Sequence, residues 1–307
     1  MPKKTIHFMG VLANVDSSIL KISLDRGFKL EGIDQIEGLN LIDSFEELQA
    51  QQLASKLFGC PILNESEGKL YFISNFFYVQ IKENYIPLSL SPEVIKFDRE
   101  HVSKYLKSKI QLMRLFKEGN ICMPLTYYYF FDNGVPKLIM RWSSPPPISR
   151  ELYTVGDLEI PELLRFVQET ELPFSEPFLE LAFESFNLSY ETNNINLAFL
   201  SLMIGLDTLF SRGEQELRHS TSRSAAVLLG ENAEDSKGIF REVRDLYDKR
   251  SKIVHTGKSR IIDNEDLSKL RYYIRESIKE IHRMGMNKDE LTDLLNSCGF
   301  GERAWKE

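Results

Sequence analysis

The run from Ile195 to Phe210, "INLAFLSLMIGLDTLF", is apolar almost all the way round a helix. A helix of that kind is stable in lipid or at the centre of a helical core. A bilayer takes about 20 consecutive apolar residues; this run is shorter and carries Asp207. The surrounding chain is therefore expected to be a helical bundle built on this segment. Asp207 falls in step with Leu200, Met203, Ile204 and Phe210. A carboxylate on such a face is costly unless a cation or a hydrogen-bond donor meets it.

The flanking segments supply the rest of the bundle. "PFLELAFESFNLSYE" sets Phe178, Ala182, Phe183 and Phe186 on one side, and "STSRSAAVLLG" has Arg223 on or beside its apolar side. In "GIFREVRDLYDKRSKIVH" an apolar stripe of Ile239/Phe240, Val243, Leu246/Tyr247 and Val254 passes through position 250, so Arg250 is expected to point inward. A last long helix from Asp263 carries Leu267, Leu270, Ile274, Ile278 and Ile281. Inward Asp207 and inward Arg250 on neighbouring helices make a natural, partly buried pair. His255 lies five steps beyond Arg250, a rotation of roughly 140° on an ideal helix. Either the last turn is distorted or the two side chains converge across an interface with another copy. Taken alone, Arg-x4-His also fits a solvated helix end, where cations complement the dipole and Gly257 stops the helix.

The first half, residues 1–150, reads as a mixed α/β domain. "ILKISL" and "FKLEGI" around "DRG" suggest a hairpin, and Ser44 with Glu47 a capping box for "FEELQAQQLASKLF". "KLYFISNFFYVQI" has strand composition. After Asp98, Val102, Tyr105, Leu106, Ile110, Met113 and Phe116 repeat at helical spacing. "MPLTYYYFF" and "VPKLIMRW" flank Asn133-Gly134, the turn of an aromatic hairpin. Its run from Tyr127 to Phe131 suits sheet and interface packing better than base stacking, since no basic residue interleaves with it. No P-loop, dinucleotide fingerprint or metal-ligand cluster occurs here. "SSPPPISR" ends this domain, and residues 151–176 read as a linker with a short helix around "PELLRFVQET". The fold class is α+β: a mixed α/β domain, then an all-α antiparallel bundle over 177–307.

Charge narrows the choice of partners. The net charge is −7, which argues against a general nucleic-acid coat, yet from Lys249 to Arg260 six of twelve residues are Lys, Arg or His and none is acidic. Such a patch in an acidic chain suits a bounded anion site. Three distant cysteines without a C-x-x-C point to a reduced, cytoplasmic, metal-free protein.

From about Leu181 to Ile281, one third of the chain, the sequence resembles the HEPN superfamily, in particular its ApeA-like branch. The residues that carry the likeness are "GLDTLF", "SRSAAVLL" and "YDKRSKIVHTG", in that order. In that family the first holds an acid, usually Glu and here Asp207, and the last is an R-x4-6-H motif, here Arg250, Ser251 and His255. The resemblance implies a helical bundle that dimerises and a metal-independent endoribonuclease with no cofactor. Its implied catalytic residues are Arg250 and His255, with Asp207 and Ser251 in support. Lys249, Lys252, Lys258 and Arg223 are the expected RNA contacts. By analogy of architecture it implies prokaryotic antiviral or stress defence, with the first domain sensing a regulatory protein or phage trigger, and no membrane contact. The alternative is a noncatalytic HEPN module for dimerisation or nucleic-acid binding.

Overall fold

The computed structural model describes residues 3–45, 63–64, 67–80, 92–144, 151–211, 217–256 and 261–303. The chain divides into two compact units, Met1–Thr170 and Glu171–Glu307. The first is a mixed α/β unit and the second is helical.

The first unit is organised by β1 (Lys3–Ala13), the middle strand of an antiparallel sheet. Its other members are β2 (Lys29–Asp34), β3 (Leu63–Asn64), β4 (Lys69–Gln80), β5 (Cys122–Asp132) and β6 (Val135–Ser143). Strand order is β2-β4-β1-β5-β6, with β3 beside β4. Strand alternation sends Met9 and Val11 to one face, where they pack with Leu70, Phe72, Leu125 and Tyr127 under Ile42 of α1 (Gln35–Phe45). Phe8 points to the other face and meets Phe28 and Tyr128; Phe28 in turn stacks on Tyr105 of α2 (Pro92–Phe116).

Several expectations hold. Val102, Tyr105, Leu106, Ile110 and Met113 are buried along α2. Asn133 (φ 50°) and Gly134 (φ 82°) turn the β5–β6 hairpin with the two positive φ angles that a type I′ turn requires. Others do not. Ser17–Lys21 forms a short 3-10 helix capped by Asp16, not a strand, so β2 has no partner across Asp25–Gly27 and pairs with β4 instead. Asp16 accepts from the backbone of Ser18, and that local bond outcompetes the alternation of "ILKISL". Ser44 lies inside α1 near its described end and donates to the Leu41 carbonyl, while Glu47, its expected capping partner, lies outside the described residues. The rest of the helix expected there lies outside the described residues.

The segment 151–176, expected as a linker, divides between the units. Tyr153 bridges to Val15, and α3 (Ile160–Glu169) packs on α2 through Phe116 and Phe166 and through Lys109, which donates to the Val167 carbonyl. The first unit therefore ends near residue 170.

The second unit begins with the α4 (Pro177–Glu191) and α5 (Ile195–Phe210) hairpin. Asn194 caps α5 by accepting from the backbone of Asn196 and Leu197. The close approach of the pair needs Gly205, where a Cβ would sit 3.3 Å from that of Ser185. Then follow α6 (Leu217–Leu229), α7 (Ala233–Thr256), α8 (Asn264–Met284) and α9 (Lys288–Ser297). α9 has no counterpart among the sequence expectations, although Asn287 and Glu290 form its capping box. Phe199, Leu202, Met203, Leu206 and Leu209 of α5 are wholly shielded, as a nearly all-apolar helix demands. Two arginines are also buried in α8. Arg271 donates to the Ser189 carbonyl and lies over the Tyr190 ring, closing the end of α4. Among the described residues no helix is long and apolar enough to cross a membrane.

Candidate functional site

The site is built where α7 crosses the end of α5. Asn232 starts α7 by accepting from the backbone of Glu234 and Asp235, acids that suit the positive end of the helix. Ile239, Val243, Leu246 and Tyr247 bury one side of it. Tyr247 and Arg250, one turn apart, both reach Asp207 on α5. The Tyr247 hydroxyl donates to Asp207 Oδ1, and Arg250 Nη2 lies 3.8 Å from Oδ2. The expected pair of Asp207 and Arg250 is thus present, at the long end of ion-pair distance.

The two partners differ in setting. The Asp207 side chain is 19% exposed and that of Arg250 36%. Burial pushes the Asp207 carboxyl above its ordinary range, while the Tyr247 hydrogen bond and the Arg250 charge pull it back down. Burial and the adjacent carboxylate push the Tyr247 phenol far up, so it stays a donor at all ordinary pH. The result is a surface cation steered by a half-buried acid, whose other oxygen is occupied.

The remaining candidates separate. α7 runs as one α-helix to Thr256, so no distortion brings His255 round to Arg250. His255, Ser251 and Lys252 are exposed. Lys249 is ion-paired with Asp266, the residue that completes the capping box at the start of α8, and so serves the fold. Arg223 does the same: it donates to the carbonyls of Leu295 (2.8 Å) and Cys298 (2.7 Å), closing α9. This internal task accounts for its position beside an apolar face. Lys258 lies outside the described residues.

Tyr247 is the residue that sequence reasoning missed. It sat in the apolar stripe and read as core, which its ring is. The available signal was the expected buried carboxylate of Asp207, which calls for every donor within reach and not only the cation.

Both helices that carry the pair also expose apolar side chains. The solvent side of α5 carries Leu197, Ile204 and then Asp207, and Val254 stands exposed one turn beyond Arg250. Among the described residues no group of three or more His, Cys, Asp or Glu side chains converges as a metal site. Comparison with protein-family models, curated proteins and solved structures finds no match.

Proposed function

We propose that the second unit is a metal-independent endoribonuclease of the HEPN type, working as a homodimer in which two copies complete one site. The observation that carries this reading is the Arg250–Asp207 pair: a guanidinium 3.8 Å from a half-buried acid, yet itself partly open to solvent. Such a cation is pre-positioned for an anion, and its fork matches a phosphate. The ApeA-like HEPN resemblance of "GLDTLF" and "YDKRSKIVHTG" joins this pair to His255.

RNA carries its own nucleophile. The 2′-OH attacks the adjacent phosphorus, the bond to the 5′ oxygen breaks, and a 2′,3′-cyclic phosphate and a 5′-OH result. One group must take the 2′ proton, another must protonate the leaving oxygen, and a cation must offset the charge gathering on the phosphorane. In this reading the imidazoles of His255 from the two copies exchange the protons and Arg250 offsets the charge. Ser251 orients the phosphate, and Lys252, with Lys258, binds flanking phosphates. Within one helix the rotation between Arg250 and His255 sends them to different faces, which supports a site shared between copies. Exposed apolar side chains on both helices, Leu197 and Ile204 on α5 and Val254 on α7, offer those copies surface to meet on.

The test is to incubate the wild type and His255→Ala with single-stranded RNA, with and without EDTA, and to identify the new termini. Cleavage by the wild type alone, unaffected by EDTA and leaving cyclic phosphate and 5′-OH ends, is the expected result. Equal cleavage by both proteins, or loss of activity with chelator, overturns the mechanism. Absence of cleavage by either favours the noncatalytic module.

A further inference from the structure

We infer that Tyr247 is a positioning residue for the Arg250 site, acting through Asp207. Its hydroxyl takes one carboxylate oxygen and leaves the other facing the guanidinium. This deepens the nuclease reading and rests on it for its effect on catalysis. The bond itself is independent of that reading.

The argument starts from what a carboxylate on α5 can do without Tyr247. Asp207 has two oxygens and one rotatable bond near its end, and Arg250 approaches only one oxygen, at 3.8 Å. A contact that long, to a side chain with open solvent on one side, does not fix the rotation of the carboxylate. The tyrosine hydroxyl does, because its ring is held in the core and is only 5% exposed. A rigid donor on Oδ1 turns Oδ2 outward, and Oδ2 is what the arginine follows. The tyrosine also favours the charged acid. Of the groups acting on Asp207, burial opposes ionisation, and Tyr247 and Arg250, both from α7, favour it. Lys288, the first residue of α9, goes to the carbonyls of Thr208 and Leu209 next along α5. Without the tyrosine the acid takes up a proton at higher pH, and a neutral Asp207 no longer steers a cation.

The experiment uses the full chain and four proteins: wild type, Tyr247→Phe, Asp207→Asn and the double variant. Phenylalanine keeps the ring in the core and removes the hydroxyl, together with its hydrogen bond to Thr221. The carboxyl carbon of Asp207 is titrated by NMR in the wild type and in Tyr247→Phe, and cleavage of single-stranded RNA is followed against pH in all four. In Tyr247→Phe the Asp207 midpoint should rise by about one pH unit, the size expected when a hydrogen bond to a charged group is lost and partly replaced by water. The acid limb of kcat should move up with it, with KM little changed. In the Asp207→Asn background, Tyr247→Phe should add nothing, since its effect passes through the acid. An unmoved Asp207 midpoint, or a Tyr247 effect that persists in the asparagine background, overturns the inference. If the wild type does not cleave RNA, the nuclease reading fails by itself, and the NMR midpoint still decides for or against the role of Tyr247.

Discussion

Tyr247 and Asp207, 40 residues apart in sequence, share a hydrogen bond across the crossing of α5 and α7. That bond, more than the ion pair with Arg250, makes a carboxylate tolerable at this position. The arginine is the more exposed of the two charged partners, and water competes for it. The phenol is buried, and its hydroxyl depends on the acid as much as the acid depends on it.

Removing the acid should therefore be felt first at the tyrosine. Asp207→Ala strands a buried donor and should cost about 1–3 kcal/mol. Asp207→Asn keeps a carbonyl oxygen there and should cost about 1 kcal/mol or less. Urea unfolding of both variants measures this, and an alanine variant as stable as wild type would remove the hydrogen bond from the account.

The same acid should leave a mark on the pH dependence of stability. Its carboxyl is held above the ordinary range in the folded chain, chiefly by burial. The unfolded chain releases that proton first, near pH 3.9. This site's contribution is thus greatest below that pH and falls as pH rises through the folded value. Asp207→Asn has no proton to release. The stability of wild type relative to Asp207→Asn should decline on going from acid toward neutral pH and then level off. A difference that stays flat or grows across that range contradicts the raised value.

The apolar stripe on α5 gives the proposed dimer a concrete test. Leu197 and Ile204, seven residues and two turns apart, are 57% and 51% exposed. Glutamate at either position should leave the bundle folded, because the side chain already faces solvent. It should shift a dimer to a monomer in light scattering and abolish RNA cleavage with it. A wild type that is strictly monomeric at micromolar concentration and still cleaves RNA would exclude the shared site.

Arg223 and Lys252 should part company when each is replaced by alanine. Arg223→Ala opens the carbonyls of Leu295 and Cys298 and should cost about 1–2 kcal/mol, with RNA affinity unchanged in the folded protein. Lys252→Ala should leave stability within about 0.5 kcal/mol, weaken RNA binding, and lower its salt slope by about one. Thermal melts and binding isotherms at several salt concentrations distinguish the two.

What could be read from the sequence depended on the range of the interaction responsible. The Asn133-Gly134 hairpin and the buried faces of α2 and α5 follow from local pattern, and all three are present. The Asp207–Arg250 pair was legible because a charge in an apolar stripe demands an answer on a neighbouring helix. Tyr247 was not, since an amphipathic ring in the same stripe satisfies the pattern without revealing its hydroxyl's partner. Lys249 and Arg223 looked like free cations for a related reason. Their acceptors, Asp266 and two carbonyls at the end of α9, are fixed only once the helices have packed. The failed hairpin around Asp25 shows the opposite limit, a local cap at Asp16 overriding strand alternation.

The position of β1 in the middle of the sheet has a consequence for how the chain reaches its fold. His7 is paired on one side with Phe76 and on the other with Tyr129. The sheet cannot close until the ribosome has delivered β5, and loop entropy must be paid before those pairings return anything. The second unit meets no such delay, because α4 and α5 find each other across a short turn. In refolding from denaturant, amides of α4 and α5 should gain protection from hydrogen exchange before those of β1, although β1 is made first. Simultaneous protection of both sets would show that the units fold as one.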